Sequence, residues 1–329
     1  MDSAQLSQTL VTIDLRQEMV PGKNIIWCAS FQIAWNALLD EIVKGQLEVE
    51  GAPVAVRSLN QKPFGRDELS RQSYLARAGL KREGVIDKVA QELKDRFNGA
   101  SGFDLTLQNP DDILVFAYLW KDVIFFNRFE NLTAPLLFQG RSPVAAFGVE
   151  KYTAEADMEK RAQQVTVLDY ADENDFIISL RSTDPEDELI LAKVEPQATF
   201  LETIEEVLRR SKALAPLPLE VNDVLRIPKF DFKLQYYDTE IVGKKFLNAG
   251  AKGYAIGKAV QAIRFKLNDR GARPKSGTAP VTQGQSFSSQ EDIRAFIFDK
   301  QFLLCLKQKN ARYPYCALWV DNAELLIKR

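Results

Sequence analysis

Early in the chain, apolar residues recur at helical intervals. Phe31, Ala34, Trp35, Leu38 and Ile42 fall on one stripe, predicting a helix over 31–43 with Ser30 as N-cap and Gly45 past its end. Residues 45–75 are polar and broken by Pro53, Pro63 and Gly65, and read as irregular chain. A second stripe, Val85, Val89, Leu93 and Phe97, predicts an amphipathic helix in "GVIDKVAQELKDRF". From Ile113 the character changes. "ILVFAYLW" is a continuous apolar run, as expected of a strand buried on both faces. "VTVLDY", "FIISLRS" and "VLRIPKFDFKL" predict further strands, and "TFLETIEEVLRRSK" a helix among them. In "KAVQAIRFKLN" strict alternation puts Ala259, Gln261, Ile263, Phe265 and Leu267 on one face. "AFIFDKQFLLCLKQKNARYPYCALWV" predicts two strongly apolar strands joined by a polar turn near Lys309 and Asn310.

Helices cluster early, strands dominate late, and neither a regular βαβ alternation nor an internal repeat is present. This pattern predicts an α+β fold with antiparallel or mixed sheets. One segment stands apart. Between Asn268 and Arg294 lies "NDRGARPKSGTAPVTQGQSFSSQEDIR", polar and rich in Gly, Pro and Ser. A loop of this length between two strands is either functional or a surface insertion.

The composition narrows the chemistry. The 329 residues suffice for one large domain or two ordinary ones. With 46% apolar and 27% charged residues and a formal net charge of −2, the chain reads as a soluble globular protein. Its balance draws it neither to nucleic acid nor to anionic lipid. The first twenty residues lack a basic start and an apolar segment, so a cytoplasmic location is expected, or an extracellular one if a signal was removed. No run reaches the length of a membrane helix.

Histidine is absent altogether. That removes the usual base for a serine or cysteine nucleophile and the commonest zinc ligand. Cys28, Cys305 and Cys316 alone cannot build a four-ligand site, so neither metal nor cofactor is expected. "GAKGYAIGK" lacks the Gly-Lys-Ser/Thr ending of a phosphate loop. Cys28 stands at a strand-to-helix junction, where helix-terminal amides can favour a thiolate. "WCASF" is similar to the Cys-x-x-Cys-Trp neighbourhood of papain-like proteases, but a nucleophilic Cys28 would need Asp or Lys as its base. Core packing is the competing reading. The acid pairs Asp111-Asp112 and Glu205-Glu206 read as solvated turn and helix faces.

The order of the pieces resembles the serpins. "NIIWCASFQIAWNALL" is similar to that family's strand start, Ser-Pro-x-Ser-Ile segment and following helix. "VIDKVAQELKDRF" resembles the helix crossing its main sheet. In "LVFAYLWKDVIFFNRFENLTAPLLF", Leu114, Val115, Ala117, Lys121, Phe129, Thr133 and Phe138 keep the rhythm of its strand-and-turn block. "RIPKFDF" resembles its Leu-Pro-Lys-Phe strand, and "KAVQAIRFKLNDRG" the strand entering its reactive loop. Phe298, Phe302, Pro314 and Asn322 are in step with its closing hairpin. The resemblance covers roughly residues 24–44 and 84–322. It implies one serpin-like domain over 1–329, a large mixed sheet with smaller ones and packed helices, and a reactive-centre-like loop at 268–294.

The departures are informative. The span between the first helix and "LVFAYLW" is short by about a tenth of the chain, so an early helix or strand is missing. In the family's sheet-opening region, its serine falls near Cys28, with Ser30 close by, its asparagine at Phe116 and its histidine at Gln261. The resemblance implies a hinge at Gly271, Ala272, Arg273, Pro274, Lys275, Ser276 and Thr278, and a bait bond near Gln285–Ser286.

A trapping serpin inserts its cleaved loop as a new central strand. Ala272, Pro274, Ser276, Thr278 and Pro280 are compact enough to be buried, but two of them are prolines without an N–H. The expectation is therefore a serpin-like binding protein that does not trap proteases, its partner a protease or another protein. The alternatives are a true serine or cysteine protease inhibitor, and a Cys28 enzyme. If Cys28 is packed core, native-state intact-mass labelling with a thiol reagent should modify it slowly; rapid labelling would favour the enzyme.

Overall fold

The computed structural model describes residues 5–62, 64–65, 69–150, 155–220, 222–271 and 294–329. The apolar run Asn24–Cys28 forms strand β2, and it passes without a turn into helix α1 (Ala29–Ala37). The helix begins earlier than its stripe suggests. Cys28 is the N-cap, extended and without a side-chain cap, while Ser30 lies buried in the first turn. The neighbouring chain takes over the capping role: the Ala29 N–H donates to the Tyr315 carbonyl at 2.8 Å. Residues Leu38–Val43 then widen into one π-helical turn, closed by Lys44 in the left-handed region at φ 60°.

The stretch 45–75 is not simply irregular. It holds helix α2 (Val54–Asn60), which buries Ala55, Val56 and Leu59, and leads into strand β3 (Tyr74–Leu80). Helix α3 (Val85–Arg96) buries Val85, Val89 and Leu93, as its stripe predicts. Helix α5 (Phe200–Arg210) opens with a reciprocal capping box between Thr199 and Glu202. A short helix α4 (Glu155–Ala162) completes the set. No helix among the described residues is long and apolar enough to cross a membrane.

A four-stranded sheet runs in the order β14 (Phe230–Tyr237), β15 (Ala255–Gly271), β4 (Asp112–Phe125), β3. Its central pair, β15 and β4, is parallel, and the outer pairings are antiparallel. Parallel strands need cover on both faces. On one face Val115, Ala117 and Ala259 pack against Phe31, Ala34 and Trp35 of α1. On the other, Leu114, Phe116, Tyr118, Val260 and Ala262 pack against Val85, Val89 and Leu93 of α3. Two-sided burial is why "ILVFAYLW" shows no alternation.

The largest sheet is another one, with eight strands: β1 (Thr9–Thr12), β2, β18 (Cys316–Val320), β17 (Phe302–Gln308), β11 (Asp187–Lys193), β10 (Asp175–Leu180), β9 (Val165–Asp172) and β12 (Leu217–Pro218). It is antiparallel throughout except at β1–β2. A third sheet orders β16 (Ala295–Ile297), β13 (Val224–Pro228), β8 (Ala146–Val149) and β5 (Glu130–Asn131). Strands β6 (Leu136–Phe138) and β7 (Ser142–Val144) form a separate pair. Two stretches that read as single strands are thus divided between sheets: "VLRIPKFDFKL" breaks at Pro228–Lys229, and "AFIFDKQFLLCLKQ" between β16 and β17.

Where β8 meets β13, a Cβ on Gly148 would lie 1.7 Å from the Leu225 carbonyl oxygen, which is backbone and cannot swing away. Gly148→Ala should therefore cost more than about 3 kcal/mol. Urea-unfolding midpoints would check this, and a near-neutral variant would show that the two strands can separate freely.

Candidate functional site at the strand seam

β15 and β4 pair from Ala255 opposite Asp112, with a bulge at Gly257 between Ile256 and Lys258, in register on to Leu267 opposite Val123, and Gly271 comes opposite Phe125 after a second shift in register. Among the described residues no strand lies between them. The resemblance to the serpins implies this seam as the place for an entering strand. Gly271, the only expected hinge residue that is described apart from the loop's flanks, ends β15 hard against the β4–β5 turn. A Cβ there would meet the Arg128 amide nitrogen at 2.4 Å. Ala272, Arg273, Pro274, Lys275, Ser276, Thr278, Gln285 and Ser286 lie outside the described residues.

The top of the seam is bound by charge. Asp269, buried in β15, receives Arg128 Nε and Nη2 on Oδ2 at 2.8 Å each, and Lys229 Nζ on Oδ1. Lys229 also donates to Asn131 at 2.9 Å, and the Phe129 N–H donates to the Asp269 carbonyl at 3.1 Å. Next to it, Arg270 reaches across to Asp122 of β4 at 3.1 Å. Burial works to raise the Asp269 carboxyl, but the hydrogen bonds from Lys229 and Arg128 outweigh it and hold it below the ordinary carboxylate range.

A second buried cation ties β4 to the eight-stranded sheet. Lys121 Nζ sits between Asp187 and Asp184, the latter at 2.9 Å, and the Tyr315 hydroxyl donates to Asp187 at 2.6 Å. Burial pushes the Asp184 carboxyl up, yet Lys121 brings it net below its ordinary value. The far side of the loop has its own anchor. Arg294 grips the buried Asp223 with Nη2 at 2.6 Å and Nε at 3.1 Å, just ahead of β16. These clamps escape sequence reading because their partners stand far apart in the chain, Asp269 and Arg128 by 141 positions.

Lower on the seam, Gln261 Nε2 donates to the Cys28 carbonyl at 3.3 Å, so these two expected residues do meet. Phe116 does not join them. It pairs with Val260, and the register turns both toward α3, where Phe116 packs edge-on against Phe103. Gln261 pairs with Ala117, on the α1 side. A one-residue offset is enough to place neighbours on opposite faces. Ser30 Oγ and Gln261 Oε1 are both buried without a hydrogen-bond partner among the described residues. Cys28 is buried with Sγ 3.1 Å from Cys316 Sγ, and burial pushes its thiol pKa up, the opposite of an activated nucleophile. Among the described residues no three His, Cys, Asp or Glu side chains cluster as a metal site would require. A cavity of about 790 Å³ lies instead along the outer edge of β3, between Ile33, Ala37 and Glu92.

No family model and no curated protein matches the sequence. Solved structures do. A tumour-suppressing serpin superposes with a TM-score of 0.57 at 13% identity, over 91% of this chain and 92% of that one. A Manduca sexta serine protease inhibitor, serpin-12, gives 0.56 at 11%, over 91% and 92%. Thyroxine-binding globulin in complex with thyroxine gives 0.54 at 11%, over 91% and 93%. The chain therefore has the serpin fold, α+β with a large multi-stranded sheet. At such identities the likeness speaks for the fold alone, and the names of these structures span a serine protease inhibitor and a thyroxine-binding globulin.

A carboxyl held below its ordinary value contributes stability that is complete above the ordinary range and is lost as pH falls through the lowered value. Asp269→Asn should therefore be less stable than the parent by roughly 3 kcal/mol near neutral pH. The gap should narrow only in acid, below the ordinary carboxylate range, as pH falls through that lowered value and the parent carboxyl itself becomes protonated. Urea midpoints at neutral pH and in acid test this; a gap independent of pH would mean that the Asp269 charge is not what holds the seam.

Proposed function

We propose that this chain is a single serpin-fold domain, residues 1–329, that acts by binding another protein and neither catalyses a reaction nor traps a protease. The observation that carries this reading is the clamped seam. A closed β15–β4 pair is compatible with trapping by itself, since the loop of a trap enters only after cleavage. Here entry would also require breaking Arg270–Asp122 and the Arg128–Asp269–Lys229 network, at the very end where a strand following Gly271 must start. Stripping Asp269 of its partners would leave a charge buried without compensation.

The residues that would enter add a second obstacle. Pro274 and Pro280 cannot donate to a central ladder, and each leaves a facing carbonyl unsatisfied at a cost of about 1–3 kcal/mol. Trapping is a race against hydrolysis of the acyl-enzyme, and a strand that enters slowly loses it. The absence of histidine and the buried, protonated Cys28 argue against hydrolytic chemistry at this junction. With a net charge of −2, a protein partner is favoured over nucleic acid.

Incubation with a panel of serine and cysteine proteases distinguishes this reading from an inhibitor that offers Gln285–Ser286 as bait. The expected outcome is cleavage between Gly271 and Arg294, no SDS-stable complex, and a melting temperature within a few degrees of the intact protein. An SDS-stable covalent complex, or a sharp rise in melting temperature after cleavage, would overturn the non-trapping function.

A further inference from the structure

We infer that Cys28 and Cys316 form a cross-strand disulfide when the chain folds in the presence of a low-molecular-weight disulfide such as oxidised glutathione. The two residues stand directly opposite each other on the antiparallel strands β2 and β18. The bond just beyond the ladder sets its phase: Ala29 N–H donates to Tyr315 O, so the amides of Cys28 and Cys316 do not face each other and 28/316 is a non-hydrogen-bonded pair. Partners of that kind have Cα atoms about 4.5 Å apart with side chains close together. A disulfide accepts Cα separations from about 4.4 to 6.8 Å, so the backbone is already in range. The sulfurs are in contact at 3.1 Å, and all three cysteines are free thiols.

The third cysteine is excluded by register. Cys305 faces Ala317 across β17–β18, one residue along from Cys316, and so projects from the opposite face of the sheet. The bond forms by two exchanges. The thiolate of one cysteine attacks a sulfur of oxidised glutathione, breaks its S–S bond and releases one reduced glutathione. The second cysteine loses its proton and displaces the other glutathione from the mixed disulfide. In sum two protein thiols give up two electrons and two protons, and oxidised glutathione takes them up as two thiols.

Timing follows from burial. Cys28 and Cys316 are 1% and 5% exposed, so an oxidant has no easy access to either in the folded state, and burial disfavours the Cys28 thiolate. The exchange therefore belongs to folding, before this corner closes. The resulting bond fixes the root of α1 to β18 and spans most of the chain, which restrains the unfolded state strongly. It also makes the redox state of this pair a record of the compartment in which the chain folded.

The test is to refold the full-length reduced chain in a glutathione redox buffer and, separately, in dithiothreitol. The oxidatively refolded protein should be lighter by two hydrogens and show one reactive thiol after denaturation, mapping to Cys305. Its melting temperature should be higher by about 5 °C or more. Cys305→Ser should give the same mass loss with no thiol left, and Cys28→Ser should show no loss. Three thiols after oxidative refolding, a bond that includes Cys305, retained glutathione, or an oxidised product whose near-ultraviolet circular dichroism departs from that of the reduced protein would overturn the assignment.

Discussion

The long parallel pairing of β15 with β4 sets the terms for nearly every other element. Parallel neighbours cannot be joined by a tight turn, so the chain must leave β4 and travel a long way before it returns as β15. The second and third sheets take up much of that excursion. A parallel pair also exposes two apolar faces, and α1 and α3 are placed where they cover one each. At the bulge near the start of β15 this pairing leaves no room for a side chain, since a Cβ on Gly257 would come within 2.8 Å of Asp112 and Leu107 side-chain atoms.

Packing of that kind is indifferent to what happens at the strand ends, and there the charges decide. Asp269 and Lys229 at the top of β15, and Lys121 of β4 with Asp187, are taken out of water and paired with one another, and Arg128 and Asp184 join them from more exposed positions. Such groups contribute little net stability compared with apolar replacements, but separating the partners is costly. Their effect is to make one arrangement of the sheets strongly preferred over neighbouring ones. The unpartnered Ser30 Oγ and Gln261 Oε1 act in the opposite sense lower on the seam. The seam is thus bridged by ion pairs at its loop end, and among the described residues buried oxygens without a partner occur at both ends, Asp122 Oδ1 near the loop and Ser30 Oγ and Gln261 Oε1 near α1.

Reading from sequence succeeds where the local pattern and the tertiary role coincide. The apolar run in β4, the alternation in β15 and the stripe of α3 are each imposed by burial and each visible in the residues. The Thr199–Glu202 box shows the same agreement at α5. Reading fails where a neighbour supplies what the residue itself seems to supply. Ser30 looks like a cap, but Tyr315 does the capping from the bend just ahead of β18. Tyr74–Leu80, with its alanines, glycine and arginine, has little strand character and is a strand because β4 lies beside it. Phe116 looks like part of the Cys28–Gln261 cluster until the register sends it to the other face.

By itself, then, the sequence determined the class of fold, the long elements and the exclusion of histidine-based chemistry, because composition and periodicity respond directly to burial. It also carried the two prolines that weigh against loop entry, since that limitation is intrinsic to the residue. Only the tertiary structure decided which sheet each strand joined, which faces Phe116 and Gln261 occupied, and which acids met which bases. Those are matters of register and of pairs far apart in the chain. For Cys28, sequence offered a thiol at a helix start, and the structure put a second thiol against it.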